Sequence, residues 1–471
     1  MILRTSLMPH QVAAVAKVLP SRIGALFMDP GTGKSRTAID LVTRRLERID
    51  RVVWFCPVGL KETVRQEIHK HTDCMPDDVH VFSGHTNERN IPRALWHIIG
   101  IESMSSSNRV VATTNKLITT RTFAILDESS YIKGHDSMRT QRLTHICQRA
   151  RYRLILTGTP LSQGVVDLFA QMRFLSPKIL GYNSFYSFAA NHLEYSEKYP
   201  GRIVRSHNVG YLAAKIKPYV YQVTKEECLE LPAKLYTTRY FGMTGEQRLL
   251  YEQAKDEIIS QMEDDNFDSI LIFRLFGILQ QITCGFWNRR IGRRKFERLE
   301  FEHGRIDMLA DVVAGISDNQ KVIIWAKYRH DILAIAAALR EQSGDDSVAL
   351  FYGALSERER SRQVELFRGP ARFFLATQSA GGHGLTLNEA HYVVFYNNGF
   401  KYSERLQAED RCHRIGQAHK VTYIDIQCAR SIDDRISLAL ASKGDVVGAF
   451  RAEVDKIKED KGRLRKLVES L

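Results

Sequence analysis

Residues 24–42 read GALFMDPGTGKSRTAIDLV, in which a short apolar run, a glycine-rich turn and a helix-like segment follow one another. A strand, a loop and a helix in this order form the setting that a phosphate-binding P-loop requires. Gly31 and Gly33 allow main-chain N–H groups to close around a phosphate, and the start of the following helix adds partial positive charge. A chance glycine-rich turn is the alternative. The pattern favours an α/β fold with a phosphate site after this strand.

The chemistry of that site follows from the two residues that end the turn. Lys34 supplies a cation for the β- and γ-phosphates of a nucleotide, and the Ser35 hydroxyl is a ligand for Mg²⁺. The full P-loop pattern begins with glycine at position 28, where this chain has Met28. The residues predicted to bind the nucleotide here are Pro30, Gly31, Thr32, Gly33, Lys34 and Ser35.

Two acids follow a second apolar run, in residues 122–130, which read TFAILDESS. A continuous apolar run is typical of a buried parallel strand, and ligands bind at the carboxyl ends of such strands. Asp127 is therefore predicted to hold Mg²⁺, and Glu128 to orient or deprotonate an attacking water. An acid pair at the start of a helix is the alternative. The position about ninety residues after the P-loop favours the metal and water roles.

Composition limits the partner and the size of the domains. The chain has 471 residues and a formal net charge of +13, with a pI of about 9.3. Its length suggests about two to four domains, and the 44% of hydrophobic residues allow sizeable cores. A basic chain favours a polyanionic partner such as nucleic acid, although a merely basic surface would give the same value.

The cysteines and the apolar runs indicate where the protein works. Seven scattered cysteines contain no CxxC pair, so we expect buried thiols in a reducing compartment and no structural zinc site. No apolar run reaches the ~18 residues that span a bilayer, and the N-terminus lacks a signal-peptide pattern. The sequence predicts a soluble intracellular protein, cytoplasmic in a bacterium or a phage-infected cell, without membrane contact.

With the P-loop and the acid pair in place, the chain resembles the superfamily-two helicases, and further motifs fall in family order. Gln11, in the segment LMPHQ, resembles the glutamine that reads adenine. Cys56-Pro57 with Gln66-Glu67, and the segment from Ala112 to Thr114, resemble two DNA-contact motifs. The segment from Leu154 to Pro160 resembles the motif that couples hydrolysis to lobe movement.

The second half of the chain continues the resemblance to about residue 430. Val322 to Ala326 resembles the fourth motif, Tyr352 to Phe367 a segment between strands of the second lobe, and Ala376 to Asn388 the fifth. The sixth, QAEDRCHRIGQ at 407–417, is the most specific and resembles the Swi/Snf branch. The DNA contacts that the resemblance implies are Thr113, Thr114, Lys327, Thr377, Ser379, Gly381 and Gly382.

The sixth motif also has a direct physical interpretation. Arg411 and Arg414 are three residues apart, so they would share a face of a helical turn. Guanidinium groups at that spacing suit the γ-phosphate, with Arg414 as the arginine finger, Arg411 beside it and Gln407 as a polar contact. A solvated basic helix face is the alternative. The glycines of the fifth motif likewise permit close approach to a phosphodiester backbone, or form a plain turn.

The resemblance implies an α/β fold with two RecA-like lobes that bind ATP and Mg²⁺ between them. It implies a DNA-dependent ATPase, a monomer that tracks along double-stranded or branched DNA, with replication or recombination proteins as possible partners. The rival interpretations are a strand-separating helicase, a DNA-binding scaffold with a decayed ATPase, and a motor subunit of a restriction or recombination complex.

Three departures from the family pattern stand out. Helicase-type P-loops often keep only their second half, which fits Met28. Ser130 replaces a histidine that the family often carries, which puts the coupling role of that side chain in doubt. Residues 400–402 are Phe, Lys and Tyr where the branch often has tryptophan, asparagine and proline. The chain therefore resembles compact phage or bacterial relatives rather than chromatin remodellers.

The expected organisation is lobe one at 1–175, helical protrusions and an inter-lobe region at 176–300, lobe two at 301–439 and a charged helical tail at 440–471. Lobe-one strands are expected near residues 25, 53, 110, 124 and 155, and helices over 247–262 and 270–283. A basic cluster is predicted either to contact DNA or to form a solvated helix face. Its members are Arg289, Arg290, Arg293, Arg294, Lys295 and Arg298.

Overall fold

The computed structural model describes residues 1–158, 160–161, 164–196, 203–262, 269–292, 295–381, 385–442 and 461–471. The chain divides into two units, Met1–Glu230 (unit 1) and Leu231–Leu471 (unit 2). Each unit is built around one parallel sheet with helices packed against it, which confirms the predicted α/β class.

Unit 1 contains a seven-stranded sheet and a short separate hairpin. Its strands are β1 (Ile23–Met28), β2 (Arg51–Cys56), β3 (Val79–Val81), β4 (Trp96–Gly100), β5 (Thr122–Asp127), β6 (Tyr152–Thr157), β7 (Leu193–Tyr195), β8 (Ile203–Ser206) and β9 (Val220–Val223). The sheet order is β3-β4-β2-β5-β6-β1-β9, and every neighbouring pair is parallel. β7 and β8 pair antiparallel outside it.

The central strands are apolar throughout because both faces of the sheet are covered. In β1, Ala25 and Phe27 pack into one apolar cluster, while Leu26 and Met28 pack into the cluster on the opposite face. Successive side chains of a strand point to opposite faces, so an uninterrupted apolar run is required here. This explains why the sequence predicted β1, β2, β5 and β6 correctly.

The helices of unit 1 contain one correction to the sequence analysis. They are α1 (Pro9–Val18), α2 (Lys34–Thr43), α3 (Lys61–His71), α4 (Ser103–Ser106), α5 (Asn108–Leu117), α6 (Met138–Cys147), α7 (Val166–Leu175), α8 (Phe185–His192), α9 (Val209–Ile216) and α10 (Lys225–Cys228). The strand expected near residue 110 is wrong, because α5 lies there and the strand of this region is β4. Ser107 caps the helix, and Val110, Thr114 and Leu117 are buried at helical spacing.

Unit 2 contains a six-stranded sheet with the order β10-β17-β16-β13-β15-β14, in which all neighbours are parallel. A separate antiparallel hairpin, β11–β12, precedes most of this sheet in the chain. The strands are β10 (Lys234–Phe241), β11 (Phe286–Gly292), β12 (Lys295–Glu300), β13 (Lys321–Ala326), β14 (Val348–Phe351), β15 (Phe373–Thr377), β16 (Ala390–Phe395) and β17 (Val421–Cys428).

The helices of unit 2 cover both faces of this sheet and form a third apolar cluster beside it. They are α11 (Gly245–Met262), α12 (Ser269–Thr283), α13 (Arg305–Ala314), α14 (Arg329–Ser343), α15 (Glu357–Arg368), α16 (Gln378–Gly381), α17 (Tyr402–Glu409), α18 (Ile432–Ala441) and α19 (Lys461–Glu469). α11 and α12 confirm the two predicted helices, and α19 lies within the predicted tail. The described helices include none that is long and apolar enough to cross a bilayer.

The middle of the chain, expected to form helical protrusions and an inter-lobe region at 176–300, is divided between the two units. β9 adds to the edge of the first sheet beside β1, and β10 pairs with β17 in the second sheet. The basic cluster lies on β11 and β12, so the alternative of a solvated helix face is wrong. Arg293 and Arg294 lie outside the described residues.

Candidate nucleotide-binding site

The sheet order of unit 1 brings the predicted motifs together at one edge. β6 lies between β5 and β1, so the carboxyl ends of these three parallel strands are neighbours. Phe27 is aligned with Thr157, and Leu156 with Asp127. A Cβ atom on Gly158 would lie 2.6 Å from Cδ of Pro30, which shows how closely the loop after β6 approaches the P-loop. The carboxyl edge of the sheet is where a ligand of an open α/β unit binds.

The P-loop has the backbone that its glycines permit. Gly31 and Gly33 have φ values of 86° and 87°, in the left-handed region that favours glycine. α2 begins at Lys34, so its free N–H groups face this turn. The Nζ atom of Lys34 donates to the carbonyl of Met28 at 2.7 Å, which holds the ammonium over the loop. The loop, the helix start and the ammonium together form a cradle for phosphate.

Gln11 and His10 brace this cradle from α1. The Nε2 atom of Gln11 donates to the Thr32 carbonyl at 3.1 Å, and Nε2 of His10 is 2.8 Å from the same oxygen. Oε1 of Gln11 accepts the N–H of Met8 at 3.0 Å. A Cβ atom at Gly33 would lie 2.1 Å from Nε2 of Gln11, so only glycine leaves room for that amide. Gln11 thus contacts the P-loop, and its contact with adenine stays a prediction.

The acid pair lies at the end of β5. Burial and the nearby charge of Glu128 raise the pKa of Asp127 to about 7, while Lys34 acts in the opposite direction. Nε1 of Trp54 donates to Oδ2 of Asp127 at 3.4 Å, and the N–H of Glu128 donates to Oδ1 at 3.0 Å. Glu128 has a φ of 49°, which is strained for a residue with a side chain and is typical of functional sites.

The donor set fits Mg²⁺ as the sequence analysis expected. Magnesium prefers oxygen ligands and is usually held by one or two carboxylates together with substrate phosphates. The Asp127 carboxyl and the Ser35 hydroxyl are such ligands, and the raised pKa of Asp127 marks a carboxylate that a nearby cation would stabilise. Among the residues that the structure describes, no group of three or more His, Cys, Asp or Glu side chains forms a metal cluster.

A buried hydrogen-bond chain joins the acid pair to the loop after β6. Oγ of Ser129 donates to Oε1 of Gln171 at 2.6 Å, and Nε2 of Gln171 donates to the carbonyls of Pro160 at 2.9 Å and Asp167 at 3.0 Å. Ser129 and Gln171 are fully buried. Sequence reasoning missed Gln171 because a single glutamine in an apolar helix carries no motif.

Trp54 and His10 were also missed. Trp54 belongs to the apolar run of β2, and only its indole N–H contacts the acid pair. His10 is adjacent to Gln11, and Gln11 is the one residue of this segment to which the sequence analysis gave a role. A single tryptophan or histidine does not form a sequence motif. The sequence therefore could not predict contacts of these side chains with residues more than twenty positions away.

In unit 2, the arginines of the sixth motif lie beyond the helix that was expected to carry them. α17 ends at Glu409, so the interpretation of Arg411 and Arg414 as one helix face is wrong. Nη1 of both arginines nevertheless donates to the Leu385 carbonyl, at 3.3 Å for Arg411 and 3.1 Å for Arg414. Nε of Arg411 also donates to the carbonyl of Gln407 at 3.1 Å. The two guanidinium groups converge on one point of the fifth motif.

Three of the predicted DNA contacts have side chains that point into the protein. Thr113 and Thr114 are fully buried on α5 and donate to the Arg109 carbonyl and to Sδ of Met104. Nζ of Lys327 donates to Oε1 of Gln280 at 2.8 Å and lies 3.2 Å from the centroid of the Phe400 ring. Burial lowers the pKa of Lys327 to about 7. The buried side chains of Thr113 and Thr114 offer no surface to DNA, and DNA contact by the half-buried Lys327 stays a prediction.

The remaining predicted DNA contacts lie at the end of β15. Thr377 is only 7% exposed, which leaves its side chain little surface for a ligand, whereas Ser379 on α16 is exposed. Gly381 ends α16, and Gly382 lies outside the described residues. Ser379 and Gly381 stay predictions. Gln378, which was not predicted, is buried and accepts the N–H of Gly399 at 2.8 Å.

Two family models match the chain. The SNF2-related domain matches residues 16–285, and the helicase conserved C-terminal domain matches residues 304–416. The first covers the P-loop and the acid pair, and the second covers the fourth to sixth motifs up to Gly416.

Curated proteins and solved structures give matching similarities. The chain is 26% identical over 325 residues to the putative ATP-dependent helicase/translocase YwqA of Bacillus subtilis, covering 68% of this chain and 34% of that protein. It is 24% identical over 471 residues to the human DNA annealing helicase and endonuclease ZRANB3, covering 98% of this chain and 42% of that protein. The chain thus spans less than half of either relative. The Sulfolobus solfataricus SWI2/SNF2 ATPase core in complex with dsDNA is 19% identical, with a TM-score of 0.44, over 99% of this chain and 95% of that one.

Proposed function

Since this chain belongs to the SNF2-related family, we propose that it is a DNA-dependent ATPase that moves along duplex DNA. The observation that carries the proposal is the convergence of the P-loop, the acid pair and the loop after β6 on one sheet edge of unit 1. A net charge of +13 favours binding to a polyanion such as DNA. Phosphate contacts carry no sequence information, so movement should be independent of sequence.

The residues of the predicted nucleotide site have distinct roles in this proposal. The cradle formed by the P-loop, Lys34 and the start of α2 binds the phosphates of ATP, and Gln11 contacts the adenine while it braces the loop. Glu128 orients or deprotonates the attacking water, and Arg411 and Arg414 stabilise the phosphate that is transferred. Asp127 and Ser35 would hold Mg²⁺, which would supply positive charge to offset the negative charge of the phosphates. Gln407 adds a polar contact.

We expect ATP hydrolysis to be slow without nucleic acid and to rise on addition of DNA. The measurement compares steady-state ATPase with blunt duplex, single-stranded and branched DNA of equal length. Stimulation by duplex should fall steeply as salt rises, because binding releases counterions from phosphates. Equal turnover with and without every DNA would contradict the proposal and would favour a scaffold with a decayed ATPase.

Translocation and strand separation are distinguished by two further substrates. A translocase displaces the third strand of a triplex without unwinding a forked duplex, whereas a strand-separating helicase unwinds the fork. We expect displacement without unwinding. Replication or recombination proteins are this protein's proposed partners. The proposed active form is a monomer, which sedimentation on DNA tests.

Gln171 is proposed as a positioning residue, because its amide joins Ser129, next to Glu128, to the Pro160 carbonyl. Gln171→Leu keeps the volume and removes the amide, which leaves buried polar groups unpaired. We expect kcat to fall about ten- to a hundredfold, since small displacements of catalytic groups have effects of that size. The KM for ATP should stay within about twofold because the phosphate cradle is untouched.

The matched control for Gln171 is Gln148→Leu. Gln148 also donates its amide to a main-chain carbonyl, that of Arg173 at 3.1 Å, but lies on the surface. The same chemical change there should leave kcat unaltered. Parallel losses of kcat and of ATP affinity in Gln171→Leu, or an unchanged kcat, would show that this amide does not position the acid pair.

A further inference from the structure

The two faces of the β11–β12 hairpin differ in chemistry. Residues that are directly opposite in an antiparallel pair share a face, as do residues two positions apart on one strand. Arg290 is opposite Phe296 and Asn288 is opposite Arg298, so these four form one face, here called the arginine–phenylalanine face. The other face, here called the anchoring face, carries the pairs Trp287 with Leu299 and Arg289 with Glu297.

The anchoring face holds the hairpin on unit 2. Trp287 is 2% exposed and belongs to the apolar cluster formed with α11 and α12. Nη2 of Arg289 is 2.5 Å from Oε1 of Glu257, and its Cζ lies 5.2 Å from the Trp287 ring centroid. The N–H of Asn288 donates to Oε1 of Gln281 at 3.0 Å. The charge of Arg289 is thus balanced by the Glu257 carboxylate. Together these contacts hold the hairpin against the helices of unit 2.

The arginine–phenylalanine face is open to solvent. Phe296 is 65% exposed, and both arginines on this face are exposed. Nε of Arg290 donates to the Gly292 carbonyl at 3.1 Å, and Nε of Arg298 to Oδ1 of Asn288 at 3.0 Å. Within the described ranges, neither guanidinium pairs with a carboxylate. An uncovered aromatic ring therefore lies between positive charges that are available to an anion.

We infer that the arginine–phenylalanine face binds DNA that carries unpaired bases, with the Phe296 ring stacked on a base and Arg290 and Arg298 on the adjacent phosphates. The arginines alone would suit any phosphate backbone. The Phe296 ring adds selectivity for unpaired bases over duplex DNA. Bases inside a duplex are already stacked on both sides, whereas bases at a fork or in a single strand offer a free face. The inference rests on the proposed function for the choice of DNA as the polyanion.

The test is fluorescence anisotropy with the full chain and no nucleotide, on a blunt duplex and a forked duplex of equal length. We expect the unmodified protein to prefer the fork. Phe296→Ala should weaken fork binding by at least about fivefold and by up to about 150-fold, the range for loss of one base-stacking ring, and change duplex binding by less than about twofold. Leu249→Ala removes a 75% exposed side chain of the same unit and should change neither affinity.

Two conservative variants separate stacking from general apolar contact. Phe296→Trp keeps a flat ring and should retain the preference for the fork, whereas Phe296→Leu should behave like Phe296→Ala. Thermal melting of each variant checks that the hairpin substitution leaves the fold intact. Equal losses on fork and duplex, no preference in the unmodified protein, or rescue by leucine would each overturn the inference.

The arginines are tested through the salt dependence of fork binding. Replacing both Arg290 and Arg298 with Gln should lower the slope of log affinity against log salt by about 1.4 to 1.8, as expected for two lost phosphate contacts. Arg289→Gln should leave the slope unchanged because Glu257 already pairs with that arginine. An equal decrease in Arg289→Gln would overturn the assignment of the face.

These measurements are independent of hydrolysis. If DNA fails to stimulate the ATPase while the fork preference depends on Phe296, the proposed function fails and the binding face stands. If DNA stimulates the ATPase while Phe296→Ala binds fork and duplex as the unmodified protein does, the inference fails and the proposed function stands.

Discussion

Lys34→Ala should remove ATPase activity, with a fall in kcat/KM for ATP of at least about a thousandfold, the upper range for loss of one preorganised charge-stabilising donor. The ammonium lies over the P-loop, 2.7 Å from the Met28 carbonyl, at the start of α2. No other lysine or arginine of the described P-loop, residues 29–35, can replace that charge. Binding of a fluorescent ATP analogue, measured beside steady-state turnover, should weaken together with hydrolysis.

The control for Lys34 is Lys116→Ala in the same unit. Nζ of Lys116 also donates to a main-chain carbonyl, that of Glu88 at 2.8 Å, and this exposed residue lies outside the motifs of the nucleotide site. The two variants lose the same type of group and the same type of hydrogen bond. Equal turnover in Lys34→Ala and the unmodified protein would remove the phosphate cradle from the proposal, and equal losses in both variants would indicate damage to the fold.

Much of this site could be predicted from sequence because its residues lie at the ends of buried parallel strands. Such strands are apolar on both faces, so β1 and β5 are visible as uninterrupted runs, and the polar residues that follow them mark the edge of the sheet. The sequence could not show that β6 lies between them, because strand order depends on packing over the whole unit. That order is what brings Gly158 against Pro30.

Two positions show where a local sequence pattern is insufficient. Residues 109–114 include adjacent valines and threonines, which favour a strand by propensity, but Ser107 caps a helix whose apolar positions recur at helical spacing. Lys327 follows an apolar strand at a position that resembles a DNA contact, yet its ammonium lies against Phe400 and Gln280. Strand propensity is thus overruled by a local cap and helical spacing in the first case, whereas in the second the contacts of the ammonium are with residues distant in sequence.

The arginines of the sixth motif illustrate the limit of motif spacing. A separation of three residues predicted a shared helix face, and the helix ends before either arginine. Their guanidinium groups still converge, because both reach the carbonyl of Leu385 in the fifth motif. The spacing therefore did not predict how the two side chains meet, because the turn that brings them together depends on contacts between two motifs, and their roles at a phosphate stay a prediction.

Glu128→Gln should separate nucleotide binding from hydrolysis, which Lys34→Ala cannot do. The amide keeps the size of the carboxylate but cannot accept a proton, so we expect kcat to fall by about 10²–10⁴-fold, the contribution of a general base. The hydrogen bond to Asp127 comes from the main-chain N–H of residue 128 and survives the substitution. Steady-state turnover and ATP binding, measured on the same preparation, give the two quantities.

Binding should even be favoured in Glu128→Gln, because the charge of Glu128 is one cause of the raised pKa of Asp127. Removing that charge lowers the pKa of Asp127, so its carboxylate stays ionised to lower pH and remains available to a cation. Glu102→Gln, at a surface loop where Oε2 accepts the N–H of Val58 at 3.0 Å, is the isosteric control and should leave turnover unchanged. Retained turnover in Glu128→Gln would assign the attacking water to another group. Lost ATP binding would mean that the Glu128 carboxylate is needed for nucleotide binding as well as for hydrolysis.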